Sequence, residues 1–137
     1  MVLVNETGIP FIASDNPASL YYTEKNSRFA TIFTPLSPTL AMLIRPDLNF
    51  YRPTIDDVKN YTHPYDGYMH PKESFVKMLN EIAVKCAENI VLHSKEEEWV
   101  ESLVSKYKDW RVNNKTFKFA HENETIIFNK QIASKNA

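Results

Sequence analysis

A chain of 137 residues with 43% hydrophobic and 24% charged side chains has the composition of one ordinary globular domain, which excludes a disordered or fibrous protein. Its net charge of −1 gives no general attraction to phosphate backbones or anionic membranes, and the longest apolar run, Leu40 to Ile44, is far shorter than the ~20 residues that span a bilayer. Only Gly8 and Gly67 are glycines, too few for glycine-rich phosphate cradles or dinucleotide turns, and the single cysteine, Cys86, has no partner for an internal disulfide.

The first third alternates β-branched and aromatic segments with turn chemistry, as strands do. Strands are predicted at Met1 to Val4, Ile9 to Ala13, Ser19 to Thr23, Phe29 to Thr34 and Thr39 to Arg45. Between them lie the turns Glu6-Thr7-Gly8, Ser14-Asp15-Asn16-Pro17 and Pro35-Leu36-Ser37-Pro38. Leu40-Ala41-Met42-Leu43-Ile44 is apolar at every position, the pattern of a central strand covered on both sides. From Pro46 to Pro71 the chain is proline-punctuated and aromatic, with Thr54 as N-cap of a short helix over Ile55 to Asn60.

Phe75, Leu79, Ile82, Cys86 and Ile90 then recur at helical spacing, which predicts a core-facing helix from about Lys72. A second helix is predicted from Ser94, because Ser94 and Glu97 have capping-box spacing and Trp99, Val100, Leu103, Val104 and Tyr107 follow. The tail reads as a hairpin, Thr116 to Ala120 against Thr125 to Asn129. The expected class is therefore α+β: a mostly antiparallel sheet from the N-terminal third, packed by two C-terminal helices, then a β-hairpin. The lone cysteine and an opening, Met1 to Glu6, without a basic n-region or long apolar stretch point to the cytoplasm.

The ordered set Pro10-Phe11-Ile12-Ala13-Ser14-Asp15-Asn16-Pro17, then Pro35-Leu36-Ser37-Pro38 before an apolar strand, then a helix carrying Asn80 and Ala87, resembles domain-of-unknown-function family 4238. The resemblance runs from about Gly8 to Ser94. It implies no particular activity. Members of the family are usually about twice this length and open with a His-His-Tyr-Val-Pro-Gln-like motif and a helical region. The resemblance therefore implies a C-terminal subdomain of a larger protein, although residues 1–137 also suit a single domain.

Asp15 and Asn16 stand at a strand end, where a carboxylate and an amide can serve as catalytic groups or simply make a good turn. Ser14, Ser37 and Asn80 are the accompanying binding candidates. If the early strands run successively antiparallel, the two proline loops share one end of the sheet, and Asn80 on an inward helix face can bond the Asp15-Asn16-Pro17 turn. Asn80 shares the helix face of Val76, Ala83 and Ala87, where a polar group must find partners, so a tie to a nearby loop is its expected role.

Three weaker patterns have bland readings. Asp47, Asp57 and Lys59 match a metal-dependent nuclease spacing, but they fall in a loop and a helix start rather than on adjacent strands. His63, Asp66 and His70 can in principle ligate zinc, or be incidental in a tyrosine-rich loop. Lys106, Lys108, Arg111, Lys115 and Lys118, interleaved with Tyr107, Trp110, Phe117 and Phe119, suit single-stranded nucleic acid or a helix end beside an inward-packed hairpin. No metal or cofactor is assigned, no membrane partner is expected, and the composition argues against nucleic acid. A rival to the enzyme reading is an interaction module built on residues 49–68. If the two helices cover only one sheet face, the apolar face left over drives self-association.

Overall fold

The computed structural model describes residues 1–22, 30–45, 67–121 and 124–135, with the side chains of 119–129 excepted. The expected helix over Ile55 to Asn60, the nuclease-like triad and the 49–66 part of the interaction segment lie outside these residues, as do His63 and Asp66.

The main sheet has five strands: β1 (Val2–Val4), β3 (Ser19–Tyr21), β4 (Thr31–Pro35), β5 (Leu40–Ile44) and β6 (Tyr68–Met69). Their order is β3-β4-β5-β1-β6, antiparallel at every pairing but β1 with β6. Gly67 precedes β6 at φ +75°, a conformation glycine adopts without strain, and its carbonyl accepts the Val2 N–H at 3.0 Å. Among the described residues, the short strands β2 (Ala13–Ser14) and β7 (Val91–Leu92) pair only with each other.

Among the described residues the helices are α1 (Glu73–Cys86) and α2 (Glu98–Tyr107). Val76, Leu79, Asn80, Ala83, Val84 and Cys86 form the buried stripe of α1, and its aliphatic members join Leu3, Phe33, Ala41 and Leu43 of the sheet in the core. Val100 and Tyr107 bring α2 into the same core. The hairpin β8 (Trp110–His121) and β9 (Glu124–Lys135) follows, paired along its whole length. The α+β class, the antiparallel sheet and the two helices agree with the sequence reading.

Several expectations need correction. The predicted strand Ile9 to Ala13 does not enter the main sheet, so the sequence of early strands is not a simple meander. Its donors are taken elsewhere: Pro10 has none, the Phe11 N–H bonds Pro38 at 2.9 Å, and the Ile12 N–H bonds Asn80 at 3.1 Å. The two proline loops nevertheless share an end, because Ser19 at the start of β3 pairs with Phe33 near the end of β4. Strand β5 is central, as its sequence suggests, but it is not covered twice. Ala41 and Leu43 are buried while Leu40, Met42 and Ile44 are 39%, 37% and 47% exposed.

The register places Leu20, Ile32, Thr34, Val2, Val4 and Tyr68 on the same outer face as those three, with the hydroxyls of Thr34 and Tyr68 as the polar side-chain groups among these nine. Helix α2 starts three residues later than the capping box predicts, with Glu97 as an N-cap whose side chain makes no capping bond and instead accepts from the Trp99 Nε1. A box contributes only about 1 kcal/mol, less than the burial of Val100 and Tyr107 that fixes where this helix lies. The hairpin keeps the predicted register, Thr116 with Asn129 and Ala120 with Thr125, and extends beyond it at both ends.

Candidate functional site

The Ser14 to Pro17 turn meets the C-terminal end of α1, where a helix leaves its last carbonyls without partners. The Asn16 Nδ2 donates to one of them, Cys86 O, at 3.4 Å, and Ser14 Oγ donates to the Asn16 carbonyl at 2.9 Å. Beyond the helix the chain turns extended at Ala87, and Asp15 collects the donors that follow. Its Oδ1 accepts the Glu88 N–H at 2.9 Å, and its Oδ2 accepts those of Asn89 and Ile90 at 2.8 and 3.2 Å. A carboxylate beside a helix C-terminus would otherwise face the negative end of the dipole. The Glu88 N–H above all, with those of Asn89 and Ile90, overcomes this and holds the Asp15 pKa below its ordinary 3.8.

A stability consequence follows from that depressed value. Asp15 binds its proton less readily folded than unfolded, so its contribution is complete above the ordinary carboxylate pKa and is lost as pH falls through the folded value. Asp15→Asn is expected to flatten the acid limb of the stability profile below about pH 4 while changing the slope little at neutral pH. Urea midpoints across a pH series check this; parallel acid limbs for the two proteins would contradict it.

Asn80 is fully buried and acts a few residues upstream of the turn. Its Oδ1 accepts the Ile12 N–H at 3.1 Å and its Nδ2 donates to the Pro10 carbonyl at 2.9 Å. It thus ties the approach to the turn onto the helix, and the expected bond to Asp15-Asn16-Pro17 is not made. Ser37 stands apart as well: its Oγ accepts the N–H groups of Thr39 and Leu40 at 3.2 and 3.0 Å, closing its own proline loop. Asn5, which sequence reasoning passed over, is a buried hub that joins its own turn, Asn5 to Ile9, to the Pro35–Pro38 loop. It donates to Ile9 and Pro38 and accepts from Thr7, an Asx turn that Asn5-Glu6-Thr7-Gly8 signals in the sequence.

Next to Asn16 lies a cleft of about 440 Å³ between the hairpin and the β3–β4 edge of the outer sheet face. Leu20, Ile32 and Val112 line it together with Asn16, Glu88, Asn114 and Gln131. Tyr22 secures the hairpin wall, its hydroxyl donating to the Gln131 carbonyl at 2.8 Å.

The basic and aromatic residues at the end of α2 are turned on each other. Lys85 sits over the rings of Tyr107 and Trp110 at 4.5 and 5.1 Å, and Lys106 over Tyr107 at 4.8 Å. Burial raises the Glu81 pKa, but the Tyr107 hydroxyl, Lys106 and Lys85 outweigh it and leave that carboxyl below its ordinary value. Tyr107 and Trp110 therefore already have cationic partners where a nucleic-acid base would stack. Burial pushes the Cys86 thiol upward, which suits an inert core position. His70 pairs with Glu6 at 3.3 Å on the surface, and no group of three metal-ligating side chains occurs among the described residues. Nor is any helix there long and apolar enough to cross a membrane.

Comparison with known proteins finds a match of residues 1–97 to the family described as "Protein of unknown function (DUF4238)". No curated protein and no solved structure matches.

Proposed function

For a chain that belongs to the DUF4238 family, as this one does, we propose the role of sheet-bearing subdomain in a larger cytosolic protein, with a helical layer from outside these 137 residues seated on the outer sheet face. The observation that carries this reading is the apolar strip on β5, β1 and β6. Leu40, Met42, Ile44 and Tyr68 are exposed there, beside half-buried Val2 and Val4, with no charged residue among them. Three strands about 4.8 Å apart make a strip some 14 Å wide, which one or two amphipathic helices packed at 8–10 Å would cover. A soluble monomer rarely leaves so continuous an apolar surface in water.

The same reading gives Asp15, Asn16 and Asn80 the work of bracing. A general base needs a pKa near the working pH, whereas three backbone donors hold Asp15 below the ordinary carboxylate value.

The isolated chain is expected to bind ANS and to associate as its concentration rises in light scattering. Met42→Glu combined with Ile44→Glu should abolish both while leaving the circular dichroism spectrum intact. A clean monomer with no dye binding would overturn the proposal. Reading the gene upstream of Met1 identifies the cover: an open frame with amphipathic helices supports a layer from the same polypeptide, and a stop codon there overturns it.

A further inference from the structure

The geometry points to the cleft between β3–β4 and the hairpin as a binding site for a small molecule that carries amide or hydroxyl groups and one ammonium group. Its volume of about 440 Å³ falls within the range of small-ligand sites, and polar and apolar residues share its lining equally, a more polar wall than most small-molecule pockets have and one suited to a polar ligand. The floor is Leu20, Ile32 and Val112.

Around it stand three carboxamides, Asn16, Asn114 and Gln131, and the carboxylate of Glu88. Carboxamides offer donors and acceptors together, so they complement amides and hydroxyls and give no preference for charge. Charge selection falls to Glu88, the one ionisable residue lining the cleft. It repels phosphates and carboxylates and attracts an ammonium group. Among the described residues, the side chains of Glu88, Asn114 and Gln131 make no internal hydrogen bond or ion pair. Their donors and acceptors are therefore available to a ligand.

The backbone around the cleft is fixed in advance, which lowers the cost of binding. Asp15 holds the N–H groups of Glu88, Asn89 and Ile90, and so sets where the Glu88 side chain emerges. Asn16 is tied through Nδ2 to Cys86 O, which leaves its Oδ1 as the acceptor for the cleft. Tyr22 pins Gln131 from the other side. The Ser-Asp-Asn-Pro turn thereby acquires a role in positioning: Asp15 acts through Glu88, while Asn16 contributes an atom directly. This site adjoins the β5–β1–β6 strip at the Ile32–Ile44 pair but rests on different residues, so either proposal can fail without the other.

The test is an NMR titration of the full chain with three probes that share two amides and differ in charge: N-acetyl-lysine, N-acetyl-norleucine and N-acetyl-glutamate, each as its N-methylamide. The lysine probe is expected to shift the side-chain amide signals of Asn16, Asn114 and Gln131 saturably in the millimolar range, with norleucine weaker and glutamate weakest. Glu88→Gln should weaken the lysine probe roughly fivefold, the scale of one exposed ion pair, and leave norleucine unchanged. Asn114→Ala with Gln131→Ala, both exposed positions, should weaken all three probes alike. Equal shifts from the lysine and glutamate probes, or no saturable shift up to roughly 10 mM, would overturn the assignment.

Discussion

Replacing Asn80 by alanine is expected to lower the free energy of unfolding by about 3 kcal/mol, because a buried donor and a part-buried acceptor lose their partner together and each such loss costs about 1–3 kcal/mol. The two groups are the Ile12 N–H and the Pro10 carbonyl, which belong to a segment with no ladder partner at these atoms. Asn80 is fully buried, and Ile12 beside it is too, so water does not replace the amide. Asn80→Asp separates the two bonds. It keeps an acceptor for Ile12 but at neutral pH buries a charge and loses the donor to Pro10. Burial raises the folded-state pKa of such a carboxyl, so the variant should regain stability relative to the parent as pH falls and its protonated oxygen can donate to Pro10. Urea unfolding at neutral and mildly acidic pH measures both effects. A loss below about 1 kcal/mol for Asn80→Ala, the ordinary cost of an arbitrary substitution, would mean that the segment finds other partners.

The position of Asn80 in the sequence announces this role, though not the partner. A polar residue among Val76, Leu79, Ala83 and Val84 on one helical stripe must be satisfied in the core. What satisfies it lies 68 to 70 residues away, and no local pattern in Pro10-Phe11-Ile12 distinguishes a strand that pairs from an extended segment held by a side chain. Local alternation sufficed for β4 and β5, where each strand pairs with its neighbour in sequence. It failed for β7, two residues that are a strand only because Ala13–Ser14 lies alongside. The outer face shows the same division. Residues Leu40 to Ile44 are apolar throughout, but burial on both faces depends on what the rest of the protein supplies, and here the register turns three of the five outward. Asp15 was legible as a turn residue. That its carboxylate gathers three backbone donors from beyond α1 is a tertiary fact.

Phe33→Ala is expected to cost about 3–5 kcal/mol, the range for emptying a fully buried aromatic position. Phe33 is 0% exposed on β4 and meets the ring of Phe11 at 5.6 Å between centroids and 58° between planes. Phe11 lies in the segment that Asn80 ties to the helix, so the aromatic contact and the amide hold the same three residues from opposite layers. The sheet grips Pro10–Ile12 through Phe33, and α1 grips it through Asn80. Once one hold is lost, the segment can relax and relieve part of what the other was enforcing. The double variant should therefore fall short of additivity by about 1 kcal/mol, within the range for residues sharing a backbone element. Phe33→Leu, which keeps most of the volume, allows the cycle to be completed if the alanine variant does not fold. Strict additivity with Asn80→Ala would show that the two layers hold the segment independently, and would remove Pro10–Ile12 as the link between the sheet and the turn that carries Asp15 and Asn16.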